Sequence, residues 1–276
     1  MDLIIQGIEI ETSDLRQLAK LSGASKIERI NGNAFRLIDA SQRDRISSLC
    51  LEAELDFAFV DEPKSLNQFR LIAMDMDSTL VGIETIDEIA DIHGMRKQVA
   101  EITEKAMYGE IDFSEGLIQR VALLKGLEHS VLQRVYDERL IFNPGAEKML
   151  KKLKVAGIKT MLISGGFTFF TDKLKDRLGL DYTFANTLET VNGRLTGRLL
   201  GEVCGAKEKG WALNKICNEL GFRKENLIAI GDGANDLSMF AEAGVSIAYH
   251  AKPIVQENAT YAINHVGLDG VINIFQ

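Results

Sequence analysis

Leu71-Ile72-Ala73-Met74-Asp75-Met76-Asp77-Ser78-Thr79-Leu80 decides the fold. An apolar run of this length flanked by polar residues is expected to be a strand buried on both faces. Its end carries two carboxylates one residue apart, followed by hydroxyls. In an open parallel sheet, strand ends of this kind face the crevice where ligands bind. Two carboxylates there repel each other and lose hydration unless a cation or a proton offsets the cost. The pair therefore asks for a hard divalent metal, for acid–base chemistry, or for both. Taken alone it is equally an N-cap or a turn, since Asp and Ser are common there.

Further along, Leu227–Ile230 is a second such strand and runs into Gly231-Asp232-Gly233-Ala234-Asn235-Asp236. Oxygen ligands among glycines suit Mg²⁺, which takes one or two carboxylates and keeps water and substrate oxygens. Thr160–Ile163 is a third, ending in Ser164-Gly165-Gly166-Phe167. A hydroxyl and glycine amides there make a small anion cradle. Each motif alone is an ordinary turn or cap. Three of them in order along one α/β pattern point to a metal-plus-phosphate pocket. Lys209, in Ala206-Lys207-Glu208-Lys209-Gly210, looks by its chemistry like a solvated surface residue.

The surrounding pattern is a doubly wound parallel-sheet core from residue 65 onward. Glu84–Lys125 shows helical periodicity and no strand, as expected of a helical cap inserted after the first core strand. Phe184–Leu199, centred on Asn192-Gly193, is expected to be a β-hairpin. Residues 1–64 have a different rhythm. Strands are expected at Leu3–Ile8, Lys26–Ile30, Ala34–Ile38 and Leu55–Val60. Helices are expected at Ser13–Leu21, with Ser13 as N-cap, and at Ser41–Ala53. That β-α-β-β-α-β order is a ferredoxin-like α+β unit, with Asp61–Ser65 as a linker. The expected division is 1–64 and 65–276, with core segments 65–81 and 141–276 around a cap at 82–140.

With 276 residues, 26% charged and 46% hydrophobic, the chain has ordinary globular composition. A net charge of −8 argues against nucleic acid or an anionic membrane as partner. Cys50, Cys204 and Cys217 lack metal-ligand spacing and form no disulfide framework, so a cytoplasmic setting is expected. No signal peptide is evident at Met1–Ile5, and no apolar run approaches a membrane span.

With these motifs assembled, the chain resembles the haloacid dehalogenase superfamily of phosphotransferases and, within it, the phosphoserine phosphatase family. Asp75-x-Asp77-Ser78-Thr79, Ser164-Gly165-Gly166, Lys209 and Gly231-Asp232-Gly233-x-Asn235-Asp236 match its four motifs in order. The resemblance implies Asp75 as nucleophile and Asp77 as acid and base. It implies Mg²⁺ on the Asp75 carboxylate, the Asp77 main-chain carbonyl and Asp232. Ser164, Gly165, Lys209 and Asn235 would then hold phosphate, with Asp236 in support.

In the cap, the resemblance makes Glu84 the partner of a substrate ammonium and Arg120 that of its carboxylate, with Met107 and Phe113 packing beside the ligand. Without it, Glu84 and Arg120 are ordinary surface charges on amphipathic helices. The implied activity is hydrolysis of phosphoserine to serine, the last step of serine biosynthesis. Transfer to another alcohol such as homoserine, and a non-enzymatic amino-acid-binding regulator, are the alternatives. The first 62 residues resemble an ACT domain in order of elements only. The loop Glu9–Ser13 has no glycine to close on a ligand, which favours a structural or homodimerising role over serine sensing.

Overall fold

In the computed structural model, Leu3 and Ile5 of strand β1 (Asp2–Gln6) enter one hydrophobic core while Ile4 enters another. This alternation places the N-terminal sheet between two layers. The structure describes residues 1–61, 64–107 and 110–276, except for the side chain of Met107. After β1 come α1 (Thr12–Ser22), β2 (Lys26–Asn31), β3 (Ala34–Ile38), α2 (Ile46–Glu52) and β4 (Asp56–Val60). The strands pair antiparallel in the order β2-β3-β1-β4, the ferredoxin-like arrangement. Leu15, Leu18, Ile46 and Cys50 of the two helices cover one face. The other face sends Ile4, Ala58 and Val60 into the main core beside Phe69 and Phe275.

Two local expectations need correction. Helix α1 begins at Thr12 with Glu11 as N-cap, and no side chain caps it, so Ser13 lies inside the helix. Helix α2 starts only at Ile46, because Arg45 takes a left-handed conformation (φ 61°) that the expected helix from Ser41 could not include. Of the expected linker, Glu62 and Pro63 lie outside the described residues.

Strand β5 (Leu71–Met74) opens the second sheet. Helices α3 (Thr85–Ile92), α4 (Arg96–Met107), α5 (Phe113–Leu123) and α6 (Ser130–Glu138) follow before the chain returns. The outgoing and incoming segments touch through a Val81–Phe142 bridge and a Gly82 N–H bond to the Ile141 carbonyl. Then come α7 (Ala146–Val155), β6 (Lys159–Phe167), α8 (Thr168–Leu178), β7 (Tyr182–Val191), β8 (Arg194–Leu200), α9 (Ala206–Leu220) and β9 (Leu227–Gly231). The chain closes with α10 (Leu237–Ala241), β10 (Val245–Tyr249), α11 (Pro253–Glu257), β11 (Tyr261–Ile263) and α12 (Gly270–Asn273).

The sheet order is β11-β10-β9-β5-β6-β7-β8, parallel throughout except for β8. Ile72, Leu162, Ile228 and Ile230 face one core, and Leu71, Met161, Leu227 and Ala229 the other. Burial on both faces explains why these strands are continuous apolar runs. The hairpin β7–β8 turns at Asn192 and Gly193, both at positive φ as a type I′ turn requires. It braces the cap: Leu195 exchanges backbone hydrogen bonds with Gly126 and Leu127 just beyond α5.

Candidate active site

Central strands β5, β6 and β9 all end at the same sheet edge, so their polar extensions converge by topology. Asp75 directly follows β5 and is 6% exposed. Its Oδ1 accepts the Met76 N–H at 2.7 Å, and its Oδ2 lies 2.7 Å from Lys209 Nζ. Lys209 also donates to Asp236 Oδ1 at 2.7 Å and is fully buried, which corrects the surface expectation. The reason lies in helix α9, where Lys209, Gly210, Leu213 and Cys217 form one buried face. A Cβ on Gly210 would stand 2.8 Å from the Ser238 carbonyl oxygen, so glycine lets α9 approach the Asp236 loop closely. The spacing of Leu213 and Cys217, four and eight residues on from Lys209, is a periodic signal for that buried face.

The Asp236 Oδ2 accepts the N–H groups of Asp232 (3.1 Å) and Gly233 (3.0 Å), so both of its oxygens are engaged. Asp236 thus shapes its own loop and aims Lys209. Asp232 accepts from Thr79 Oγ1 at 2.6 Å through one oxygen only, among the described residues. Asp75, Asp232 and Asp236 bring carboxylate oxygens within 4.8 Å of one another. One lysine cannot neutralise three carboxylates, and the surplus negative charge with oxygen donors fits a hard divalent cation. Burial pushes Asp232 up to about 6. Burial and the Asp236 charge also push Asp75 upward, against the pull of Lys209. A cation bound there would oppose that rise.

Asp77 sits apart from this cluster. Its carboxylate accepts the Thr85 N–H (3.1 Å) and the Thr85 hydroxyl (3.3 Å) at the start of α3. Burial, then the nearby Glu84 charge, raise it well above the carboxylate range. Ser78 takes a left-handed conformation (φ 56°), and its hydroxyl donates to Glu84 Oε1 at 2.7 Å. Asn143, on the segment returning from the cap, holds this turn by donating to the carbonyls of Ser78 (3.0 Å) and Thr79 (2.8 Å).

Ser164, Gly165 and Gly166 are not a turn after the strand as expected but lie inside β6, just before its last residue Phe167. The Gly166 N–H donates to Ser164 Oγ at 2.8 Å, so it is not part of an open cradle. A Cβ on Gly166 would stand 2.8 Å from Asp77 Oδ2, and one on Gly165 would stand 2.8 Å from Phe113 Cζ. Glycine is required at both positions because an acid and an aromatic ring press on the backbone. Asn235 is half-buried, and its side-chain oxygen folds back against Gly233.

The cap contributes Glu84 from the N-terminus of α3 and Arg120 from α5. Glu84 is exposed as a residue, but protein atoms crowd its carboxyl, and this burial raises it. Burial holds Arg120 below its ordinary value, opposed by the charges of Asp87, Glu84 and Asp77. Asp87, on the first turn of α3, also faces this pair and carries no motif in the sequence. The side chain of Met107, expected to pack beside the ligand, lies outside the described residues.

A family model described as haloacid dehalogenase-like hydrolase matches residues 69–244, and a domain of unknown function matches residues 3–46. A phosphoserine phosphatase from Polaromonas is 53% identical over 214 residues, covering 76% of this chain and 91% of the relative. The chain belongs to the haloacid dehalogenase-like hydrolases, in their phosphoserine phosphatase family. The crystal structure of a probable phosphoserine phosphatase from Vibrio cholerae matches with a TM-score of 0.87 at 37% identity. That match covers 99% of this chain and 86% of the other. A phosphoserine phosphatase solved as a phospho-aspartyl intermediate analogue matches with a TM-score of 0.71 at 43% identity, over 75% of this chain and 99% of the other.

Proposed function

We infer that the chain hydrolyses O-phospho-L-serine to L-serine and phosphate through an aspartyl-phosphate on Asp75, as the last step of serine biosynthesis in the cytoplasm. One observation carries the reading. A buried carboxylate paired with a buried lysine lies under a mouth where a cap carboxylate and a cap guanidinium stand near each other. The first arrangement suits phosphoryl transfer and the second suits an α-amino acid. Relatives named phosphoserine phosphatase support the substrate. The three described cysteines are free and buried, which agrees with a reducing compartment. No helix among the described residues is long and apolar enough to cross a membrane. For function we take residues 1–64 as a unit that supports or dimerises the enzyme, and 82–140 as the cap over a core of 65–81 and 141–276.

In the first half-reaction an Asp75 oxygen bonds to phosphorus as the bond to the serine oxygen breaks, and Asp77 gives its proton to that oxygen. In the second, Asp77 takes a proton from water, the water oxygen bonds to phosphorus, and the Asp75–phosphorus bond breaks. Lys209 favours the charged, attacking form of Asp75 against its burial and, with Ser164, the Gly165 N–H and Asn235, holds phosphoryl oxygens. Among the described residues Asp77 has no cation in contact with it, and burial with the Glu84 charge favours its protonated form at the start of each cycle. Magnesium held by Asp75, the Asp77 carbonyl and Asp232 would neutralise charge on the phosphoryl group. Glu84 takes the ammonium and Arg120 the carboxylate, with Phe113 against the ligand.

Phosphate release from a panel of phosphorylated amino acids and sugars tests this reading. The expected result is a strong preference for phosphoserine, lost in EDTA and restored by Mg²⁺. Equal rates on sugar phosphates would overturn it. For Arg120→Ala, kcat/KM on phosphoserine should fall about 10²-fold, the worth of a charge-assisted pair. Turnover of an aryl phosphate should fall far less, and equal losses would remove the carboxylate role.

A further inference from the structure

The ladder between β6 and β7 breaks just where the phosphate-binding residues begin. Strand β6 advances from Ile163 to Phe167 while β7 advances only from Phe184 to Asn186. The residues between, Ser164–Gly166, therefore bulge away from regular pairing, and among the described residues the β6–β7 register leaves the Gly165 carbonyl without a ladder partner. The Asn186 side chain supplies one, its Nδ2 donating to that carbonyl at 2.8 Å. The same amide grips Cys204 from both sides. Its Oδ1 accepts the Cys204 N–H at 2.7 Å, and its Nδ2 donates to the Cys204 carbonyl at 3.3 Å. Asn186 is 2% exposed, so water cannot take over these bonds.

Both ends of this bridge lead to groups that hold phosphate in the reading above. The Gly165–Gly166 peptide carries the Gly165 carbonyl that Asn186 holds and the N–H that fixes Ser164 Oγ. Cys204 precedes Gly205, whose carbonyl accepts the Lys209 N–H in the first turn of α9. A Cβ on Gly205 would stand 2.8 Å from Ser114 Oγ, so this loop also abuts α5 beside Phe113. We propose that Asn186 is a positioning residue for phosphoryl transfer: one carboxamide sets the separation of Ser164 and Gly165 on β6 from Lys209 on α9. Only a carboxamide has the donors and the acceptor this bridge uses. The role rests on the phosphatase reading and adds to it a residue that touches neither substrate nor metal.

Asn186→Asp keeps the acceptor for Cys204 but turns a carboxylate oxygen toward two carbonyl oxygens. Misplacing a reactive group by about an ångström costs roughly 10²-fold. In rapid-quench experiments with labelled phosphoserine and phenyl phosphate, phosphoenzyme formation in Asn186→Asp should slow by about 10² on both substrates. The folded fraction, read from near-UV circular dichroism, should stay within about twofold of wild type, since the fold persists. A lowered folded fraction with an unchanged phosphorylation rate per folded chain means Asn186 only supports the fold, and overturns the proposal. If Asn186→Asp does not fold, Asn186→Ala carries the measurement, and a wild-type rate in it is equally fatal. A wild-type chain that forms no phosphoenzyme is a different result, because there the phosphatase reading itself fails.

Discussion

Asp75→Asn should lose at least about 10³-fold in phosphoserine turnover, as expected when a covalent nucleophile is removed. The folded protein should be no less stable than wild type in EDTA. Asn keeps the volume and, with its oxygen on the Met76 N–H, turns an amide nitrogen toward Lys209, a cost offset by losing a charge that burial and Asp236 both disfavour. Lys209 retains Asp236 as its partner. Activity and stability thus move in opposite directions, as expected where a site stores unfavourable electrostatics for chemistry. Steady-state release of phosphate and thermal unfolding measure the two quantities. Wild-type turnover in this variant would end the aspartyl-phosphate mechanism, and a large loss of Tm would end the electrostatic account.

Lys209→Met should damage both. Met fills most of the space but leaves the Asp75 and Asp236 carboxylates buried without their shared cation. Breaking a buried pair on one side costs about 3–5 kcal/mol. For a chain of this size that corresponds to a Tm lower by roughly 10 °C. Asp75 is already raised in the presence of Lys209, and losing the lysine raises it further. A carboxyl whose folded value exceeds its unfolded value stabilises the protein below the unfolded value and loses that effect as pH rises through the folded one. The Tm deficit of Lys209→Met in EDTA should therefore grow as pH rises above the ordinary carboxylate range. Combining it with Asp75→Asn should recover part of the stability and none of the activity. A deficit independent of pH would show that the lost packing, not the unpaired charge, dominates.

Parts of this architecture were legible because their signals are local. β5, β6 and β9 are continuous apolar runs since both faces are covered, and each is followed by small polar residues at one sheet edge. The Asn192-Gly193 hairpin was legible because its turn needs positive φ twice. Other features were hidden because their causes are distant in sequence. Lys209 looked like a surface residue because its partner Asp236 lies 27 positions away. Asn186 and Asn143 carried no signal at all, since a side-chain amide bonded to remote backbone has no motif. The α1 cap was misplaced because several capping residues compete there, and packing chose the register.

For Asp75-Met76-Asp77 the division is clear. Sequence alone determined that a buried strand ends in two carboxylates, and the order of motifs determined the fold that gathers them. Their different environments were decided only by tertiary structure. Asp75 meets Lys209 from α9, 134 residues later, while Asp77 meets Thr85 and the Glu84 charge at the mouth of the cap. The reason is electrostatic. The protonation preference of a carboxylate depends on burial and on charges within a few ångströms. Those neighbours come from segments that only folding brings together.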